Sequence, residues 1–223
     1  MNVTEAVTSR RSVRVYLDKP VDAAVLRRVL ETAQRSPSGG NLQPWNAVVL
    51  AGEPLAQLKA AVAEQVARGP DGQSVEYAVY PPDLDGRYRD SRFAVGEAMY
   101  AALGIERANK AGRLAQFAAN FRAFDAPVLL LAHTPRLMGP PQWADMGMWL
   151  QTVMLLLREA GLDSCAQEAW AVYGREVRKA AAIPDHHVFY SGLAIGWRDP
   201  QAPINTFAVP REQLDDVVRF EGF

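Results

Sequence analysis

Apolar positions recur along the chain with two different periods. From Asp22, the segment "AAVLRRVLETAQRS" places Val25, Leu26, Val29, Leu30 and Ala33 on one face of a helix, with Asp22 as its N-cap. The Pro, Ser and paired Gly of "SPSGG" end that helix. A shorter helix is predicted from Thr4 to about Arg10, and "PLAQLKAAVAEQVARG" reads as another, with Pro54 in its first turn. Two more helical stretches fall at Ser91–Leu103 and Ile105–Phe121, and "REVRKAAAI" is helical until Pro184. Unbroken apolar runs predict buried strands at "NAVVLA" (Asn46–Ala51), "PVLLLAH" (Pro127–His133) and "HVFYSGLAIG" (His187–Gly196), with "DSCAQ" as a shorter one.

The stretch "QWADMGMWLQTVMLLLREAG" (Gln142–Gly161) is apolar on nearly every face of its middle. It predicts a central helix, in the core or in a subunit interface, with Gly161 suited to the C′ position. Two segments break the pattern. Gly69–Arg92 is rich in Pro, Gly, Asp and Tyr, and so long a connection predicts a lid or a substrate-facing loop. Residues 197–223 are too apolar for a free tail and too irregular for a core element, which predicts an arm packed on another surface, either of this chain or of a second subunit. No repeat or linker divides the chain. Residues 1–223 therefore read as a single domain with a mixed helix-and-sheet layered fold.

Composition narrows the partners. A net charge of −1 provides no overall field toward nucleic acid or an anionic membrane, so any anion binding has to be local. The amino-terminal "MNVTEAVTSRRS" lacks the apolar core of a signal peptide, and Met146–Leu157 is too short to span a bilayer. The single cysteine, Cys165, excludes an intrachain disulfide framework and predicts a small buried hydrophobe. Together these predict a soluble cytoplasmic protein. The strand–G-x-G-x-x-G–helix fingerprint, the P-loop, H-E-x-x-H and G-x-S-x-G are all absent. Neighbouring His186 and His187 would point to opposite faces of a strand and chelate poorly, so no metal site is expected.

Positive charge is concentrated in "SRRSVRVY" (Ser9–Tyr16). In extended form, Arg10, Ser12 and Arg14 share one face while Arg11 and Val13 lie opposite. Two guanidinium forks and a hydroxyl then form a phosphate clamp. A solvated basic end of the first helix, complementing the helix dipole, has the same composition. The loop "SPSGGNLQPW" (Ser36–Trp45) gathers hydroxyls, amides and open glycine backbone of the kind that can lie against a flat polar ligand edge, and it serves equally as a plain helix-to-strand connection.

In this order and spacing, "SRRSVRVY" and "SPSGGNLQPW" resemble the FMN-dependent nitroreductases. The resemblance continues through "GPPQWADMGMWLQ", "GLDSCAQEAW", "LAIGW" and a tail of the form N-x-x-x-x-x-R-x-x-L-D, and is closest to the branch of nitrobenzoate-reductase-like proteins. It implies an α+β fold: a layered α/β/α sandwich in an intertwined homodimer with an exchanged C-terminal arm and FMN sites across the interface. It also implies an NAD(P)H oxidoreductase passing hydride through flavin N5 to nitroaromatic, quinone or related conjugated acceptors, with donor and acceptor taking turns in one cleft. Alternatives on the same scaffold are dehalogenase-like or flavin-cleaving enzymes, or a flavin-binding protein without turnover.

By that resemblance, Arg10, Arg11 and Ser12 bind the FMN phosphate and ribityl chain. Arg14 lies near N1 and O2 of the ring, where negative charge develops on hydride transfer. Pro37, Ser38, Gly39 and Asn41 reach the flavin from the partner subunit. Ala166, Gln167, Glu168 and Ala169 cover the ring, with the Glu168 backbone N–H near N5. Many relatives have Gly at position 169 and a base near position 208. Here Ala169 and Ala208 leave Arg211 as the tail cation, with Arg198 as a possible compensating charge. No side chain is assigned as general acid or base. Tyr77, Tyr80 and Tyr88 are candidates for the acceptor wall, with ordinary loop packing as the other reading.

Overall fold

The structure is a computed structural model and describes all of residues 1–223. Four antiparallel strands form one sheet in the order β1-β2-β4-β3: β1 Asn46–Ala51, β2 Val128–Pro135, β3 Asp163–Gln167 and β4 His187–Gly196. Register runs Asn46 opposite His133, Val128 opposite Ile195 and Asp163 opposite Gly196, with a bulge between Ala132 and His133.

Alternation along β2 and β4 feeds two separate cores, one on each face of the sheet. Leu129, Leu131 and Ala194 pack with Leu55, Leu58 and Val62 of α3 (Gly52–Ala67) and Val177 of α7 (Gly174–Ala180). On the other face, Val128, Leu130, Leu193 and Ile195 meet α2 (Ala23–Ala33) and α6 (Pro140–Glu159). This is the expected α+β layered sandwich.

The N-cap of α2 is Asp22, whose carboxylate accepts from Ala24 N–H at 2.8 Å. Its predicted stripe supplies the buried residues Leu26, Val29 and Ala33. The long apolar helix is α6, which buries Met146, Trp149, Leu150, Val153 and Leu157, and Gly161 closes its end in the left-handed conformation at φ +78°. Trp149 stacks on Trp45 with ring centroids 6.2 Å apart. Met148 of the same helix stays exposed, so the core claims one face of α6 and not all of it.

Three expectations change. The apolar run of β1 is an edge strand with Leu50 as its only buried residue, because no element of this chain pairs with its outer edge. The connection after α3 is shorter than predicted, since α4 (Gly86–Ala102) starts five residues before Ser91. Neither α4 nor α5 (Lys110–Ala118) buries a residue, so these two helices form an excursion from the sandwich. The segment after β4 also divides in two. Residues up to Asn205 pack on their own chain, with Trp197 donating to Pro20 O at 3.1 Å, whereas residues 208–223 are all exposed.

His133 and His187 are buried at one end of the sheet, their Nδ1 atoms 2.8 Å apart, so one ring donates and the other accepts. Burial, and then the neighbouring His187, pushes His133 down to about 4; burial and His186 lower His187. An unfolded histidine titrates near ~6.5. Between about 6.5 and 4 the unfolded chain therefore binds more protons than the folded one. The pair's contribution is complete above pH ~6.5 and is lost as pH falls toward 4. Melting temperature should fall across that window at constant ionic strength, and His133→Gln should make the slope shallower; equal slopes would contradict the coupling.

Candidate functional site

A capping box starts α1 (Val3–Ser9): Asn2 accepts from Glu5 N–H while Glu5 accepts from Asn2 N–H. The helix stops at Arg10, whose backbone is extended (φ −63°, ψ 130°), and the next residues run along the sheet. Val13 is fully buried and donates its N–H to Ser164 O of β3 at 3.1 Å. The segment "RRSVR" is therefore extended and not a continuation of the first helix.

Asn205, itself buried, clamps the segment from the other side. Its Oδ1 accepts from Arg14 N–H at 2.8 Å and Val15 N–H at 3.3 Å, and its Nδ2 donates to Val15 O and Asp199 O. Arg11 donates to Thr206 O at 3.1 Å and Phe207 O at 3.0 Å, which holds the tail over the arginine segment.

This packing leaves a cavity of about 490 Å³ lined by Arg10, Arg11, Ser12, Arg14, Gln151 and Arg211, with no Asp or Glu in its wall. None of the four arginines forms an ion pair. Concentrated guanidinium forks without a counter-charge are the donor set for a phosphate group. Ala208 lines the same cavity without charge. Arg198 does not replace it: its Nε lies 3.6 Å from Asp163, beneath the site, where Arg158 also holds that carboxylate.

Arg14, Val95 and Phe207 also line a second cavity, of about 540 Å³, so the two are adjoining compartments. Its wall is mainly hydrophobic and includes Ala166, Glu168 and Ala169 from the end of β3. The turn beneath it is unusual. Ala123, Phe124 and Asp125 have φ of +53°, +52° and +58°, a left-handed run without glycine that costs about 1–2 kcal/mol per residue. Burial of Ala123 and Phe124 holds the turn, and the Arg14 guanidinium lies 5.8 Å from the Phe124 ring centroid.

The predicted residues fall into three groups. Arg10, Arg11, Ser12, Arg14 and Arg211 meet at the first cavity, and Arg14, Ala166, Glu168 and Ala169 at the second. The side chain of Gln167 is directed into the core, donating to Asn120 and accepting from Trp170 Nε1, so only its backbone is free to face the cleft. Pro37, Ser38, Gly39 and Asn41 reach neither cavity of their own chain. The buried carboxylate of Asp145 accepts from Gly39 N–H at 3.3 Å, and Ser38 Oγ accepts from Gln43 N–H at 3.0 Å, which fixes their loop.

Of the three tyrosines, Tyr80 alone lines the cleft. Tyr77 is partly buried, with its hydroxyl donating to Tyr190 O, and Tyr88 is exposed beside Arg87. Sequence reasoning missed Arg92, Met99 and Tyr100 of α4, along with Phe117 and Phe124. The helical period of α4 was a usable signal for the first three. Nothing in "AFD" announces a left-handed turn.

Comparison with known proteins bears on this arrangement. The model of the Nitroreductase family matches residues 7–197. The chain is 38% identical to a 4-nitrobenzoate reductase from Nocardioides sp. (strain LMS-CY), over 96% of this chain and 87% of that one. It is 30% identical to a nitrobenzene nitroreductase from Ectopseudomonas oleovorans, over 98% and 96%. The crystal structure of an FMN and NADPH-dependent nitroreductase, NfnB from Sphigopyxis sp. strain HMH, superposes with a TM-score of 0.99 at 54% identity, covering 100% of both chains.

Asn205→Ala leaves two backbone N–H groups and two carbonyls around a buried gap. It should destabilise the fold by about 2–3 kcal/mol in urea unfolding; a change within about 0.5 kcal/mol would show that the clamp is dispensable.

Proposed function

Because the chain belongs to the Nitroreductase family, we propose that it is an FMN-dependent NAD(P)H oxidoreductase that reduces nitroaromatic, quinone or related conjugated acceptors. The observation that carries this reading is the four-arginine cavity, free of carboxylates, that opens past Arg14 into a mainly hydrophobic cleft. That donor set fits a phosphate at one end and a flat ring at the other. The NADPH dependence named for the structurally similar NfnB supports NADPH as donor.

FMN held here would supply two-electron chemistry between NAD(P)H and the acceptor, enough to convert a nitro group, with two protons, to a nitroso group and water. Arg10, Ser12 and Arg211 would hold its phosphate, and Arg11 keeps the tail closed over that cavity. Arg14, fixed by its backbone bond to Asn205 and by Phe124, presents positive charge where the pyrimidine edge of the ring becomes electron-rich. The Glu168–Ala169 backbone, in the wall of the cleft, would border the ring, and solvent would deliver the protons. Ala208 contributes no charge, so cofactor retention depends more heavily on Arg10 and Arg211.

The reading includes a homodimer. The unpaired edge of β1 and the exposed residues 208–223 are a strand edge and an arm that a second copy would satisfy. In such a dimer the loop carrying Pro37, Ser38, Gly39 and Asn41 would serve the partner's site, which accounts for its distance from the cavities of its own chain. No helix is long and apolar enough to cross a membrane. The buried thiol of Cys165, its pKa raised by burial, fits a reducing cytoplasm.

Purified protein should carry flavin absorbance that bleaches on anaerobic addition of NADPH; bound flavin that never bleaches would reduce the protein to a binder. Arg10→Ala should weaken FMN retention by about 10- to 100-fold, the equivalent of a lost charge-assisted hydrogen bond. Its stability should change by no more than about 0.5 kcal/mol. Unchanged retention would overturn the clamp.

A further inference from the structure

We propose that Arg92 makes the cleft selective for acceptors that carry a carboxylate, so that the preferred substrate is a nitroaromatic acid and not a neutral nitroarene. This rests on the reading of the cleft as the site of a flavin-dependent reductase and adds the charge class of its acceptor.

Arg92 lies on α4 and lines the 540 Å³ compartment beside Tyr80. Its guanidinium carbon is 3.8 Å from the Tyr80 ring centroid. Stacking of this kind fixes the guanidinium plane while leaving its N–H edges free, and those edges match a carboxylate bidentately. The Arg92 side chain forms no ion pair and no hydrogen bond, unlike those of its neighbours on the helix. Arg89 is paired with Asp90 at 3.0 Å, and Glu97 is held by Arg113.

Both cations in the wall lie against an aromatic ring, but Arg14 also donates to Ser12 O. Glu168 is the one acid lining the compartment. Arg92 is therefore the cation of the acceptor space whose guanidinium N–H groups have no partner, in a wall that otherwise offers Met99, Tyr100, Phe117 and Phe124 to an aromatic ring. A ring seated among these side chains with its substituent against Arg92 replaces water at the guanidinium edge with a charge-assisted pair. A neutral ring gains only the apolar contact.

The test compares kcat/KM for 4-nitrobenzoate and nitrobenzene, a pair differing by one carboxylate, in the FMN-loaded enzyme with NADPH. In Arg92→Leu the ratio of 4-nitrobenzoate to nitrobenzene should fall about tenfold, or ~1.4 kcal/mol, through KM more than kcat. Arg92→Lys should recover part of it. Arg89→Leu, on the same helix but outside the cleft, should leave the ratio unchanged. Wild-type selectivity should decline with added sodium chloride. An unchanged ratio in Arg92→Leu, or equal losses on both acceptors, would overturn the proposal. So would a change confined to the preference for NADPH over NADH, which would assign Arg92 to the coenzyme's phosphate.

If NADPH does not bleach the bound flavin of wild-type protein, the reductase reading fails instead. Equilibrium titration of 4-nitrobenzoate by tryptophan fluorescence then still decides the role of Arg92: tenfold weaker binding to Arg92→Leu supports it, and equal binding overturns it.

Discussion

The site depends on holding like charges together without a neutralising carboxylate. Arg10, Arg11 and Arg14 fall within five residues, and their repulsion is met by backbone restraint. Buried Val13 anchors the segment to β3, and Asn205 ties down the N–H groups of Arg14 and Val15 from the tail. Both anchors use main-chain groups of the segment, which leaves the Arg10 guanidinium free for a ligand while Arg11 holds the tail and Arg14 gives one N–H to Ser12 O. A phosphate entering there replaces repulsion with charge-assisted hydrogen bonds, which concentrates binding free energy at one point of a nearly neutral protein.

The sandwich supplies the rigidity this requires. Two cores, one on each face of β2 and β4, fix the end of β3 from which Ala166, Glu168 and Ala169 enter the cleft. The helices α4 and α5 bury nothing and lean over the cleft from outside. A reductase that admits donor and acceptor by turns needs this division, with a fixed seat for the cofactor and a less constrained wall for the exchanged substrates. The left-handed turn at Ala123–Asp125 joins the two parts, and its conformational cost is borne where Phe124 meets Arg14.

Electrostatics divide the cleft by function. The first cavity carries four arginines and no acid, whereas the adjoining cleft has Arg14, Arg92 and a single glutamate. Arg198 shows how position outweighs composition. It carries the same guanidinium as Arg211, yet its pairing with buried Asp163 directs it away from the first cavity.

The sequence alone was enough for the helical stripe of α2, the cap at Asp22, the apolar character of α6, the turn at Gly161 and the charged segment at Arg10–Arg14. Each of these is written in neighbouring residues, through periodicity, capping or local charge. The tertiary structure decided which side of the sheet each run faces, that β1 is an edge, that Gln167 turns inward, that Tyr80 and not Tyr77 reaches the cleft, and that Arg92 stands there without a partner. These outcomes depend on contacts between residues far apart in the chain, such as Arg14 with Asn205 or Gly39 with Asp145. Local spacing carries no record of such contacts, because they exist only once packing has brought the two segments together.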